Sequence, residues 1–147
     1  MSFFNSINIS ASGLTAERLR MDVISKNIAN VNTTRTANGT PYRRQVVVFQ
    51  EGEKQAPFSQ YLNDASKQFV GSGVKAVAIA EDQTPFKMVY DPGHPDADEK
   101  GYVKMPNVDI MTEMVNMISS SRAYEANVTA INSTKSMAMK ALEIGKA

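Results

Sequence analysis

The sequence predicts an α+β fold, with long N- and C-terminal helices packed as a coiled-coil-like pair and a small β-rich domain inserted between them. Three observations predict it. Apolar residues recur at heptad spacing near the N-terminus. The same spacing returns, over a longer stretch, after Asn107. All six prolines and six of the eight glycines lie between these two segments. The organisation follows: 1–34 is the N-terminal helix of a helical domain, 35–106 a β-rich middle domain, and 107–147 the C-terminal helix of the same helical domain.

The first helix is expected from Phe3 to Val31. Ile7, Leu14, Met21 and Ile28 recur every seven residues, and Ala11, Ile24 and Val31 fill much of the same face. That spacing suits a coiled-coil-like seam. Gly13 is a weak point, costing roughly 1 kcal/mol against alanine in a helix interior. Asn30, Asn32, Thr33 and Thr34 compete for backbone hydrogen bonds and should end the helix.

The middle segment offers four short strands. Arg44–Gln50 contains the β-branched run Val46-Val47-Val48, followed by Phe49. Val74–Ala80 alternates and ends at Glu81-Asp82-Gln83. Phe86–Tyr90 stops at Asp91-Pro92-Gly93, and Tyr102-Val103-Lys104 is a fourth candidate. A mobile loop is expected near 51–72, with one helical turn around Gln60–Ala65.

The last helix is expected from Asn107 to Gly145. Ile110, Met114, Met117, Ser121, Tyr124, Val128, Ile131, Ala138 and Leu142 fall on alternating three- and four-residue steps, broken only by Lys135. No glycine or proline interrupts Val108–Ile144, and Gly145 supplies a stop. A helix of about 35 residues is about 52 Å long. Its only charged residues are Asp109, Glu113, Arg122, Glu125, Lys135, Lys140 and Glu143, and six of the nine methionines lie between Met105 and Met139. The first helix carries only Glu17, Arg18, Arg20, Asp22 and Lys26. One seam explains one apolar stripe. It does not explain why the other faces carry Ser, Asn, Thr, Ala and Met. Packing by neighbouring subunits on several sides explains both; an ordinary two-helix core with a polar outer face is the plainer alternative.

Composition excludes much chemistry. There are 16 basic and 15 acidic side chains, a formal net charge of +1, which gives no electrostatic case for nucleic acid. The absence of cysteine removes disulfides, thiolate metal sites and a cysteine nucleophile. His94 is the single histidine, so a zinc site with two histidines is impossible. No stretch approaches the ~18 apolar residues of a membrane span. Met1–Ser6 lacks the basic and apolar regions of a Sec-type signal peptide, which by general routes alone points to the cytoplasm. Asp91–Glu99 gathers His94 with four carboxylates, but without Ca²⁺-loop spacing and with two prolines; a structural turn is the expectation and no metal or cofactor is assigned. Arg43 and Arg44, with Arg35, form a small basic cluster read first as solvated and next as an inter-subunit contact. Ser119-Ser120-Ser121 sits mid-helix, where small residues let another helix approach. No nucleophile or acid–base constellation appears, so the chain is read as no enzyme.

Several segments go beyond pattern. They are Ser12-Gly13-Leu14, Ala16, Arg18 and Asn27-Ile28-Ala29-Asn30-Val31-Asn32-Thr33, then Pro41–Gln45, Asp91–Asp98 and Gly101–Val103. The last are Met114–Ile118, Ser121–Val128 and Lys135–Gly145. In these the chain resembles the flagellar basal-body rod protein family over nearly its whole length, least from Glu51 to Lys67. The resemblance implies a structural subunit that polymerises through its terminal helices into the proximal rod, forming part of a torque-transmitting drive shaft and of the export channel wall. It implies type III export without a cleaved signal peptide, a periplasmic location in the basal body, and termini that order on assembly. Implied partners are other rod subunits and the chain itself, the rod's basal adaptor and inner-membrane ring, and the export apparatus in transit, with no nucleic acid and no direct membrane span.

The expected helix–helix and subunit interface comprises Ile7, Leu14, Met21, Ile24, Asn27, Ile28 and Asn30 with Met114, Met117, Ile118, Ser121, Tyr124, Val128, Ile131 and Leu142. The pairing is antiparallel if both termini return to one end. The rival readings are a non-polymerising coiled-coil adaptor and, third, an enzyme built on His94.

Overall fold

The computed structural model describes residues 3–52 and 72–145; the Phe3 side chain and the helical turn expected at Gln60–Ala65 lie outside what is described. Helix α1 spans Phe3–Ala29 and helix α2 spans Ile110–Ile144, 27 and 35 residues long. Between them lie β1 (Gln45–Glu51), β2 (Val74–Glu81), β3 (Lys87–Tyr90) and β4 (Tyr102–Met105). The fold is α+β, as the patterning predicts.

Helix α1 stops two residues before the expected Val31. The Asn30 side-chain amide donates to Lys26 O at 2.8 Å, and Thr33 N–H to Asn30 O at 3.1 Å. Lys26 O also keeps its ordinary helical bond from Asn30 N–H at 3.2 Å, so the asparagine amide caps the last turn as a second donor. Helix α2 starts at an N-cap: the Asp109 carboxylate accepts from Thr112 N–H at 3.2 Å and from the Thr112 hydroxyl at 2.6 Å. Its far end is closed by Gly145 N–H on Ala141 O at 3.2 Å, with Gly145 at φ −78°, so the stop uses no left-handed residue.

The strands form two separate antiparallel pairs. β1 pairs with β2 through Val47↔Ile79, with a bulge between Val48 and Phe49. β3 pairs with β4 from Lys87↔Met105 to Tyr90↔Tyr102. The acidic segment between β3 and β4 is a turn in which carboxylates cap backbone donors. Asp91 accepts from Gly93 N–H, and Asp98 from Lys100 N–H and Tyr102 N–H, both at 2.9 Å. Among the described residues no three metal-ligating side chains are grouped to hold an ion. Gly101 sits there at φ +78°, where a Cβ would meet the Tyr90 ring at 3.0 Å and Pro92 Cβ at 3.2 Å. Gly101→Ala should therefore lower the urea unfolding free energy by about 1–2 kcal/mol.

The core is small. Ala16, Val23 and Ile24 of α1 are buried with Val47 of β1, Tyr42, Val103 and Val108. Helix α1 packs on α2 and also on the β1–β2 pair, so one helix serves as the spine for both layers.

Candidate assembly interface

The helices run antiparallel, and a buried polar cluster fixes their register. Asn27 is 1% exposed. Its amide donates to Gln45 O at 2.8 Å and to Glu113 Oε2 at 2.9 Å, and its oxygen accepts from Tyr42 OH and Gln45 N–H, both at 2.9 Å. Two N–H groups and two lone pairs are all used. Glu113, also 1% exposed, accepts from Arg44 Nε and pairs with Arg44 Nη2, each at 2.8 Å. Arg44 reaches on to Asp82 Oδ2 at 3.3 Å, and its backbone N–H donates to Asn107 Oδ1 at 2.8 Å. One residue from each helix and one from the first strand are thus locked together. Among the described residues no buried side-chain polar atom lacks a partner.

The electrostatics follow the geometry. Burial disfavours the Arg44 charge, but the Glu113 and Asp82 bonds outweigh it, and the guanidinium is held above its usual pKa. Burial, then the Glu113 and Glu81 charges, push the Tyr42 hydroxyl up. The Thr84 N–H, then Arg44, hold the Asp82 carboxyl below its ordinary 3.8 despite some desolvation. The Thr112 donors do the same for Asp109. A carboxylate depressed in the folded state stabilises fully above its unfolded pKa and loses that contribution as pH falls through the folded one. The urea midpoint should therefore fall between about pH 5 and pH 2, and Asp82→Asn should flatten that fall.

Away from the cluster the seam is made of small and polar residues. Ser120 is fully buried and its hydroxyl donates to Glu17 Oε2 at 2.5 Å. A Cβ on Gly13 would meet the Asn127 side chain at 3.1 Å, so Gly13 permits the close approach there. Glu113, Ser120 and Asn127 are each seven residues apart, as are Gly13, Arg20 and Asn27.

On α2 the buried positions, Glu113 and Ser120, each precede by one residue the expected Met114 and Ser121. Ile24 and Asn27 are buried, and Ile7, Leu14, Met21, Ile28 and Asn30 are half-buried. On α2, Met117, Ser121, Tyr124, Val128 and Ile131 are half-buried, whereas Met114, Ile118 and Leu142 are exposed. The antiparallel register brings Leu14 level with Tyr124 and Met21 level with Met117. Arg44 does not lie in free solvent, because Glu113 and Asp82 claim it. Glu113 and Arg44 were missed as site residues because an isolated charge on a helix reads as a solvated face. The polar heptad was the signal that could have found Glu113.

Part of the outer face of α2 is apolar. Met111, Met114, Val115 and Ile118 form a stripe on α2 with 51–70% of each residue exposed, and Met137, Met139, Leu142 and Ile144 form a second group at its far end. These are large side chains left mostly exposed among the described residues, and an apolar stripe of this length marks a contact surface. Among the described residues no helix is long and apolar enough to cross a membrane.

Comparison with known proteins bears on the same segments. Residues 7–35 match the family described as flagella basal body rod protein, and residues 99–144 the flagellar basal body rod FlgEFG protein C-terminal family. Similar proteins include the flagellar basal-body rod protein FlgC of Bacillus subtilis, 54% identical over 152 residues that cover 99% of this chain and 100% of that one. The FlgC of Borreliella burgdorferi is 51% identical, covering 98% of each chain. That of Aquifex aeolicus is 39% identical, covering 99% of each.

Proposed function

The chain belongs to the FlgC family of flagellar basal-body rod proteins and is a structural subunit, not an enzyme, and on that premise we propose that it polymerises through α1 and α2 into the proximal rod. In this reading the helical segments 1–34 and 107–147 form the wall around the export channel, and residues 35–106 lie farther out. The rod carries torque from motor to hook. The subunit arrives through the flagellar export apparatus, stands in the periplasm, and contacts other rod subunits, its own copies, and the rod's base at the inner-membrane ring.

The observation that carries this is the uncovered stripe on α2. A helix paired with α1 along a small polar seam, yet apolar on its far side, needs a further neighbour. Met114, Ile118 and Leu142 then face other subunits, while Ile7, Leu14, Met21, Ile24 and Ile28 hold the subunit's own helix pair with Met117, Tyr124 and Ile131. The buried cluster suits a part that carries torque, because it ties both helices to the β region through charge-assisted bonds.

Deleting the gene in its own bacterium tests the reading. Loss of hooks, filaments and swimming, restored by the wild-type chain, is expected. Normal basal bodies in the deletion strain would remove the chain from the rod.

A further inference from the structure

Two features on different sides of the chain match one another. One is the α2 stripe. The other is an open cleft of about 330 Å³ between α1, β1 and α2, lined by Val46, Val47 and Phe49 of β1, by Arg20, and by the Arg44–Glu113 pair. Asn116 also lines the cleft. Met114 is two residues back, about 200° round the helix. A chain therefore cannot seat its stripe in its own cleft. Two copies joined stripe to cleft leave one stripe and one cleft free at the ends, which is a heterologous contact that propagates.

Size and charge agree. Met111 to Ile118 spans about 10.5 Å of helix, and the β1 wall from Gln45 to Phe49 runs about 13 Å. Methionine side chains adapt to an irregular cleft of this kind. Glu125 lies seven residues beyond Ile118 on the same exposed face, and its carboxylate has no partner among the described residues. Arg20, at the cleft, pairs among the described residues only with Glu17, at 3.9 Å, and its side chain is 36% exposed. Arg122, between Ile118 and Glu125, is long enough to keep its guanidinium in water.

We infer that the α2 stripe of one copy seats in the α1–β1 cleft of the next, with Glu125 of the first facing Arg20 of the second. This rests on the rod reading and gives it a contact between copies.

Charge reversal tests it. Arg20→Glu and Glu125→Arg should each lower the amount of chain in isolated basal bodies about tenfold, because like charges then meet across the contact. The Arg20→Glu/Glu125→Arg double variant should recover to within about threefold of wild type. Within one chain the two residues stand on α2-facing and outward surfaces, so recovery reports a contact between copies. Single variants without effect, or a double variant without recovery, would overturn the inference while leaving rod membership intact. A second route does not depend on charge. The chain has no cysteine, so Met114→Cys/Val46→Cys basal bodies treated with a short bis-maleimide should yield a ladder of chain multimers, and neither single variant should. Crosslinks only to a different rod protein, dimers from Met114→Cys alone, or no ladder from assembled rods would each overturn it. Absence of even the wild-type chain from basal bodies would instead strike the rod reading.

Discussion

Replacing Glu113 by alanine is expected to destabilise the purified subunit by about 2–4 kcal/mol. The carboxylate is 1% exposed and takes bonds from Arg44 and Asn27. Removing it leaves one Asn27 N–H without a partner and Arg44 with Asp82 alone. Breaking a buried pair costs about 3–5 kcal/mol, and the low end applies here because Arg44 is 24% exposed and water can reach it. At a urea slope of about 2 kcal/mol per molar the midpoint should drop by about 1–2 M. Glu113→Gln keeps one acceptor and should lose less. An unchanged midpoint in the alanine variant would mean that the cluster does not tie the helices to the β region.

Ile118→Asp should do the opposite, leaving the free subunit intact and stopping it from assembling. Ile118 is 54% exposed, so a charge there should alter subunit stability by no more than about 0.5 kcal/mol. In a rod the same carboxylate would be buried without a partner, at a cost of several kcal/mol. Incorporation into basal bodies should fall more than tenfold, read by quantitative blotting, with swimming lost. Met117→Asp and Ile131→Asp, half-buried beside α1, should lower stability and assembly together. Lys100→Glu, in the exposed β3–β4 turn, is the control and should change neither. Wild-type swimming in the Ile118→Asp strain would place the assembly surface elsewhere.

These two variants separate what the sequence makes legible from what it hides. The two helices and four strands are legible because each rests on a local rule. Heptad and alternating periods report burial, proline and glycine report breaks, and Asp91-Pro92-Gly93 reports a turn. The expected strand limits differ from the observed ones by one residue at each end that moves. The seam is harder to read, because an apolar heptad reports only that a face is covered, not by what. Of the expected α2 interface residues, Met117, Tyr124, Val128 and Ile131 are half-buried and Met114 is exposed, while the fully buried positions are Glu113 and Ser120. Hydrogen bonding decided it. Asn27 can use all four of its bonding positions only if Glu113, Tyr42 and Gln45 converge on it, and their separations in sequence, 86, 15 and 18 residues, leave no local trace. Arg44 escaped for the same reason. The polar heptad was visible, and pairing Gly13, Arg20 and Asn27 with Glu113, Ser120 and Asn127 would have located the seam.

The displaced seam also accounts for the unusual composition of α2. Glu113, Ser120 and Asn127 face α1, and Met111, Met114, Ile118, Met137 and Met139 remain outside. The central claim is therefore about cover: the outward side chains of α2 are buried in the rod and bare in the free subunit. Methionine oxidation by dilute peroxide, read residue by residue by mass spectrometry, measures this directly. Met111, Met114, Met137 and Met139 of α2 are all exposed in the single chain, and so is Met88 on β3. In the purified subunit all five should oxidise readily. In isolated basal bodies the four on α2 should become resistant while Met88 stays reactive. Equal oxidation of all five in the assembled particle would contradict the account.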